Sequence, residues 1–167
     1  MAELTTQERL QPSLLDRLTD DEPSTTVESR EKRVISATRL RDCVSRDMSW
    51  LLNCVNLGTD EDLAEYPEVM RSVLNFGIPD LTGTAMSGID GSVLQRQVRE
   101  AILAFEPRLT ASTLRVTVNG DSKRMDRQSL VFSIESEMWA QPIPLNLYLK
   151  TEVDLETGKF NVSESFG

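Results

Sequence analysis

The chain is 167 residues long and carries 27 acidic against 18 basic side chains, for a formal net charge of -9 and a pI near 4.6. That length fits one domain with a tail and allows about 70% of the unfolded-chain surface to be buried. The charge balance speaks against nucleic acid or an anionic membrane as partner, because no segregated basic face offsets it. The absence of histidine removes the commonest general base and metal ligand, so neither metal nor cofactor is expected.

The first ten residues, MAELTTQERL, include acidic groups and no apolar run. No stretch of 18 apolar residues follows, so the sequence reads as neither a signal peptide nor a membrane span. In QPSLLDRLTDDEP, Ser13 is placed to cap a short helix. Asp16 stands three residues on, and Leu14, Leu15 and Leu18 form an apolar stripe. Two turns are too few to stand alone in water. The polar stretch that follows reads as a linker. Residues 1–35 are therefore read as a docking helix on a tether, and 36–167 as the domain proper. The helix either folds back on its own domain or docks on another protein, and the tether favours docking.

ATRLRDCVSRDMSWLLNCVNLG has apolar residues at Leu40, Val44, Met48, Leu51, Leu52 and Val55, the spacing of a long core helix stopped near Gly58. Cys43 and Cys54 then share that helix, roughly 16 Å apart along its axis, too far to pair. Reduced thiols suit a cytoplasmic location. Trp50 reads as a core or rim residue. Arg39, Arg41 and Arg46 with Asp42 and Asp47 read as a solvated face.

YPEVMRSVLNFGIPDLTG predicts a short helix begun by Pro67, with Val69, Val73 and Leu74 on its apolar face, ended by the Gly77, Pro79, Asp80 and Gly83 cluster. A further helix is predicted over Gly91 to Phe105, with Leu94, Val98, Ala101, Ile102 and Phe105 inward. The period then changes to two. TLRVTVN, SLVFSIESEMW, IPLNLYLKTEVD and KFNVSES predict strands, with DLETGK the tight turn before the last. Helices followed by antiparallel strands argue an α+β fold: about three helices packed on a small antiparallel sheet. Lys123, Arg124 and Arg127 are charges of the kind that discourage chance pairing at a sheet edge.

The junction AILAFEPRLTASTLRVTV holds the most specific chemistry. Pro107 disfavours helical dihedrals at Glu106, so the helix ends there and the chain leaves extended. Glu106 and Arg108 then project to about the same side. A carboxylate at a helix C-terminus is opposed by the dipole by about 0.3 to 1 kcal/mol, so some group must offset it. Either Arg108 covers the last carbonyls and neutralises Glu106, or the corner presents a fixed acid and guanidinium to a partner. Spacing alone leaves both open. The partner reading expects Glu106→Ala or Arg108→Ala to leave melting nearly unchanged.

ERLQPSLLDRLTDDEP, LRDCVSRDMSWLLNC, YPEVMRSVLNFGIPDLTG and AILAFEPRL together resemble, in order, the TssE family of bacterial type VI secretion baseplate proteins, within the wider phage T4 gene-25 baseplate wedge family. The Glu-Pro-Arg triplet is that family's hallmark, and PSLLDRL favours the secretion branch. Met48, Cys54, Phe76 and Ile78 are mild departures that conserve volume. The resemblance implies a structural adaptor without catalytic turnover or small-molecule substrate, working in the cytoplasm at the inner face of the inner membrane. Its implied partners are TssF and TssG, whose core bundle Glu106, Pro107 and Arg108 would hold, TssK, and the sheath subunits TssB and TssC, which would assemble on its sheet. Leu14, Leu15 and Leu18 would make a further partner contact.

Two alternatives belong to other classes. A lysozyme-like glycoside hydrolase needs two carboxyls about 5 to 9.5 Å apart across a sugar cleft. Glu100 with Glu106, or Asp80 with Asp90, are candidates, but 27 acidic residues make some pair inevitable and 5% aromatics are thin for stacking sugars. A regulatory anti-adaptor on the same fold is the other alternative, and the PSLLDRL stretch leans against it.

Overall fold

The computed structural model describes residues 13–19, 23–24, 36–82, 90–119, 129–139 and 144–164. Lys123, Arg124 and Arg127, Gly83 and most of the expected linker lie outside the described residues.

Helix α1, Leu14–Leu18, begins at Ser13, whose Oγ accepts from the Asp16 N–H and whose hydroxyl donates to the Asp16 carboxylate. Helix α2, Ala37–Leu52, is capped by Ser36 Oγ, which accepts from the Arg39 N–H at 3.1 Å. It buries Leu40, Cys43, Val44, Met48, Leu51 and Leu52, the expected stripe without Val55.

The helix stops at Asn53, short of Gly58, and a tertiary contact accounts for the difference. The Asn53 amide donates to the Phe160 carbonyl at 3.0 Å, and its oxygen accepts from the Phe160 N–H at 3.0 Å. Cys54 therefore lies beyond the helix and is exposed, whereas Cys43 is buried within it; both thiols are free. The chain next pairs with Ile78 through Ile78 N–H to Cys54 O and Asn56 N–H to Ile78 O, both at 3.0 Å. Gly77 makes this approach possible: its φ is +124°, and a Cβ there would stand 2.3 Å from the Cys54 carbonyl oxygen.

Helix α3, Pro67–Met70, is a single turn followed by a 3-10 turn at Val73–Asn75. Its expected apolar face is not buried. Val73 and Leu74 are exposed, because so short a segment breaks before its face can turn to the core. Helix α4 spans Gly91–Phe105 as predicted, with the Asp90 carboxylate accepting from the Ser92 and Val93 N–H groups. Leu94, Val98 and Ile102 are buried; Ala101 and Phe105 pack at the margin.

Strands β1 (Arg115–Asn119), β2 (Ser129–Met138), β3 (Leu145–Asp154) and β4 (Phe160–Glu164) form an antiparallel meander in that order. Val116, Ile134, Leu149 and Glu164 share one row on the inner face, and Val118, Phe132, Thr151 and Val162 the next. Helix α4 covers β1, and α2 covers β4 and part of β3. Each large apolar side chain buried between the layers contributes roughly 1.5 to 3 kcal/mol. The other sheet face carries Arg115, Glu135 and Tyr148 in one row and Thr117, Ser133, Lys150 and Ser163 in another, the mixture of a face turned to water. The fold is α+β.

Candidate functional site: a chain of alternating charges at the Glu-Pro-Arg corner

Helix α4 ends where Pro107 requires. The Glu106 N–H closes the last helical turn on Ile102, while the Glu106 dihedrals, φ -121° and ψ 78°, have left the helical region. The corner is then tied to the sheet. Thr110 N–H donates to Glu137 O at 2.8 Å, and Trp139 N–H donates to Arg108 O at 2.7 Å, so residues 108–110 run beside the end of β2.

Within the corner Glu106 is turned inward and only 4% exposed. Its Oε1 accepts from the Arg108 backbone N–H at 3.1 Å and from Arg108 Nε at 2.6 Å, and its Oε2 accepts from Arg108 Nη2. The guanidinium thus neutralises Glu106 through two side-chain bonds, the strong fork geometry. It does not cover the helix carbonyls. Its further partner is Asp47 on α2, Nη2 to Oδ2 at 2.6 Å. Burial works against the Arg108 charge, but the carboxylates of Glu106 and Asp47 outweigh it and raise the pKa above the ordinary arginine value.

The charges continue outward. Asp47 Oδ1 accepts from Arg46 Nε at 2.9 Å and is ion-paired with Arg46 Nη2 at 2.8 Å, and Arg46 Nη1 donates to Asp16 Oδ1 at 2.6 Å. The guanidinium also lies over the Trp50 ring, 5.0 Å from its centroid, and Trp50 is a rim residue. Arg46 holds the Asp16 carboxyl well below the usual carboxylate range. Glu106, Arg108, Asp47, Arg46 and Asp16 therefore alternate in sign across α4, α2 and α1.

This corrects the reading of Arg46 and Asp47 as part of a plain solvated face. The Arg46 and Trp50 pair at helical i,i+4 spacing was the available local signal; nothing local pointed to Asp47 and Arg108 meeting. The leucines of α1 remain outside the core, Leu14 and Leu18 at 71% and 75% exposure and Leu15 also exposed. The helix folds back on its own domain through Asp16, one of the two expected alternatives, while its leucines stay exposed. What the corner offers outward is the exposed Pro107 and the Arg108 side chain, 24% exposed.

A groove of about 850 Å³ lies between the 56–80 loop and α4, lined by Arg71, Asp80 and Glu100 among others. Asp80 is poorly suited to act there as a general acid. Hydrogen bonds from Thr82 hold the Asp80 carboxyl below the usual range, opposite to the need of a general acid. Asp90 is engaged as the cap of α4 and Glu106 is locked by Arg108. Among the described residues no group of three His, Cys, Asp or Glu side chains is placed to hold a metal ion.

A helix pair on an antiparallel meander, with a corner pinned by paired charges, defines a small α+β domain built around preformed surface features. The family model for baseplate wedge protein gp25 matches residues 38–143, and the chain belongs to that family. Membership supports a structural role in a baseplate of phage or secretion type. A crystal structure from Geobacter sulfurreducens, described as a tail lysozyme, is similar at 18% identity and a TM-score of 0.44, covering 70% of this chain and 92% of that one. Comparison with curated proteins gives no match.

Proposed function

We propose that this protein is the TssE-type component of a bacterial type VI secretion baseplate, acting as a structural adaptor without catalytic turnover. Arg108, held on its rigid corner with Pro107, engages the TssF and TssG core bundle, with TssK in the same assembly. The sheet receives the sheath subunits TssB and TssC by strand addition and seeds their assembly. The work takes place in the cytoplasm, at the inner membrane's cytoplasmic face; no helix among the described residues is long and apolar enough to cross a membrane.

The observation that carries this reading is the geometry of Arg108. It is fixed by Glu106 and Asp47 yet partly open to solvent, a preorganised cation that loses little entropy on meeting a partner. Membership of the baseplate wedge family supports it.

The test is co-expression of the tagged chain with TssF and TssG, comparing wild type with Arg108→Lys. Lysine keeps the charge that Glu106 needs but cannot bridge Glu106 and Asp47 while facing a partner. Loss of capture by a variant with unchanged circular dichroism supports the partner clasp. Retained capture moves the interface to the α1 leucines or the sheet.

A further inference from the structure

Helix α1 lies on α2 in an orientation opposite to that of most amphipathic segments. Leu14, Leu15 and Leu18 face outward, and the group turned toward α2 is the Asp16 carboxylate, 11% exposed, which takes Arg46 Nη1 at 2.6 Å and Nη2 at 3.4 Å. Cys43, one turn before Arg46, is buried with its thiol toward Asp16, yet it stands outside the main apolar cluster. Polar contacts hold α1 in place. One ion pair and a few polar contacts are a weak hold, so the attachment is reversible.

Arg46 divides its guanidinium between two carboxylates, and Asp47 divides its two oxygens between two arginines. With Asp16 withdrawn, the remaining charges resolve into two self-contained pairs, Arg46 with its neighbour Asp47 and Arg108 with Glu106. The bond between Asp47 and Arg108 is the one that weakens, because Arg46 no longer has a competing carboxylate.

We infer that α1 is an electrostatic latch coupled to the corner: its docking ties Arg108 to Asp47, and its release frees one N–H of Arg108 Nη2, the nitrogen that also donates to Glu106, for a partner's carboxylate. The identity of that partner rests on the function proposed above. The coupling belongs to this chain alone and is measured without any partner, so either idea can fail while the other stands.

The experiment uses the full chain labelled with ¹⁵N, wild type and Asp16→Asn. In the variant, backbone order parameters over Leu14–Leu18 should fall from about 0.85 to below about 0.6, and the Arg108 side-chain N–H signals should move, while β3 amides stay in place. Wild type in salt of about 1 M, where the screening length is about 3 Å, should show the same two changes with no substitution. An α1 that stays ordered under both conditions overturns the latch. Release of α1 with the Arg108 signals unmoved overturns the coupling.

Discussion

Arg108 reaches back 61 residues to Asp47, Nη2 to Oδ2 at 2.6 Å, while the same guanidinium holds Glu106 two residues away. The corner is therefore a tertiary clasp between α4 and α2 as well as a surface feature, and substitutions there act on the fold.

Arg108→Ala strands a buried carboxylate, so the expectation of nearly unchanged melting is replaced by one of marked destabilisation. Removing one partner of such a pair should cost about 2 to 4 kcal/mol. The double variant Glu106→Gln, Arg108→Met, which removes both charges, should recover at least half of that loss. Urea denaturation of the three proteins checks it; equal stability of wild type and Arg108→Ala would show that the clasp contributes nothing to folding.

Asp16 gives a pH signature. Its folded-state pKa lies below its ordinary value of 3.8, chiefly through the Arg46 hydrogen bond, with Ser13 and Cys43 also facing the carboxyl. A depressed carboxylate contributes stability that is fully present above the ordinary pKa and lost as pH falls through the folded one. The difference in stability between wild type and Asp16→Asn should be constant from about pH 7 to pH 5 and shrink below about pH 3.8. A difference that grows with acid would contradict the assignment.

Thr151 is fully buried on the inner face of β3, in one row with Phe132 and Val162, and its hydroxyl has no hydrogen-bond partner among the described residues. Thr151→Val keeps the shape and removes the unsatisfied group, and should stabilise the protein by about 1 kcal/mol. A lower denaturation midpoint in the variant would reveal a hidden partner for the hydroxyl.

Gly77→Ala should be costly for two independent reasons, a positive φ and a Cβ placed 2.3 Å from the Cys54 carbonyl oxygen. Backbone strain of this kind amounts to about 1 to 3 kcal/mol before the clash is added. Thermal unfolding measures it, and a neutral result would mean that the 54–56 segment shifts freely.

What could be read without coordinates was whatever depends on near neighbours. The bounds of α4 follow from its apolar spacing and from Pro107 as stop, and the four strands from alternation of period two. The break at Glu106 follows from the ring of the next residue. Family likeness was also legible, because it lies in the order of short motifs.

The tertiary structure decided which faces met. Helix α2 ends at Asn53 because Phe160, 107 residues away, takes both ends of its amide. Val73 and Leu74 carry the composition of a buried face and lie in solvent, since periodicity over so short a turn does not say which side the core is on. Asp16, Arg46, Asp47, Arg108 and Glu106 look like ordinary surface charges when read singly. Their alternation exists because packing α4 beside α2 and laying α1 upon it brings them within hydrogen-bond distance, and no local pattern encodes a distance between segments far apart in the chain.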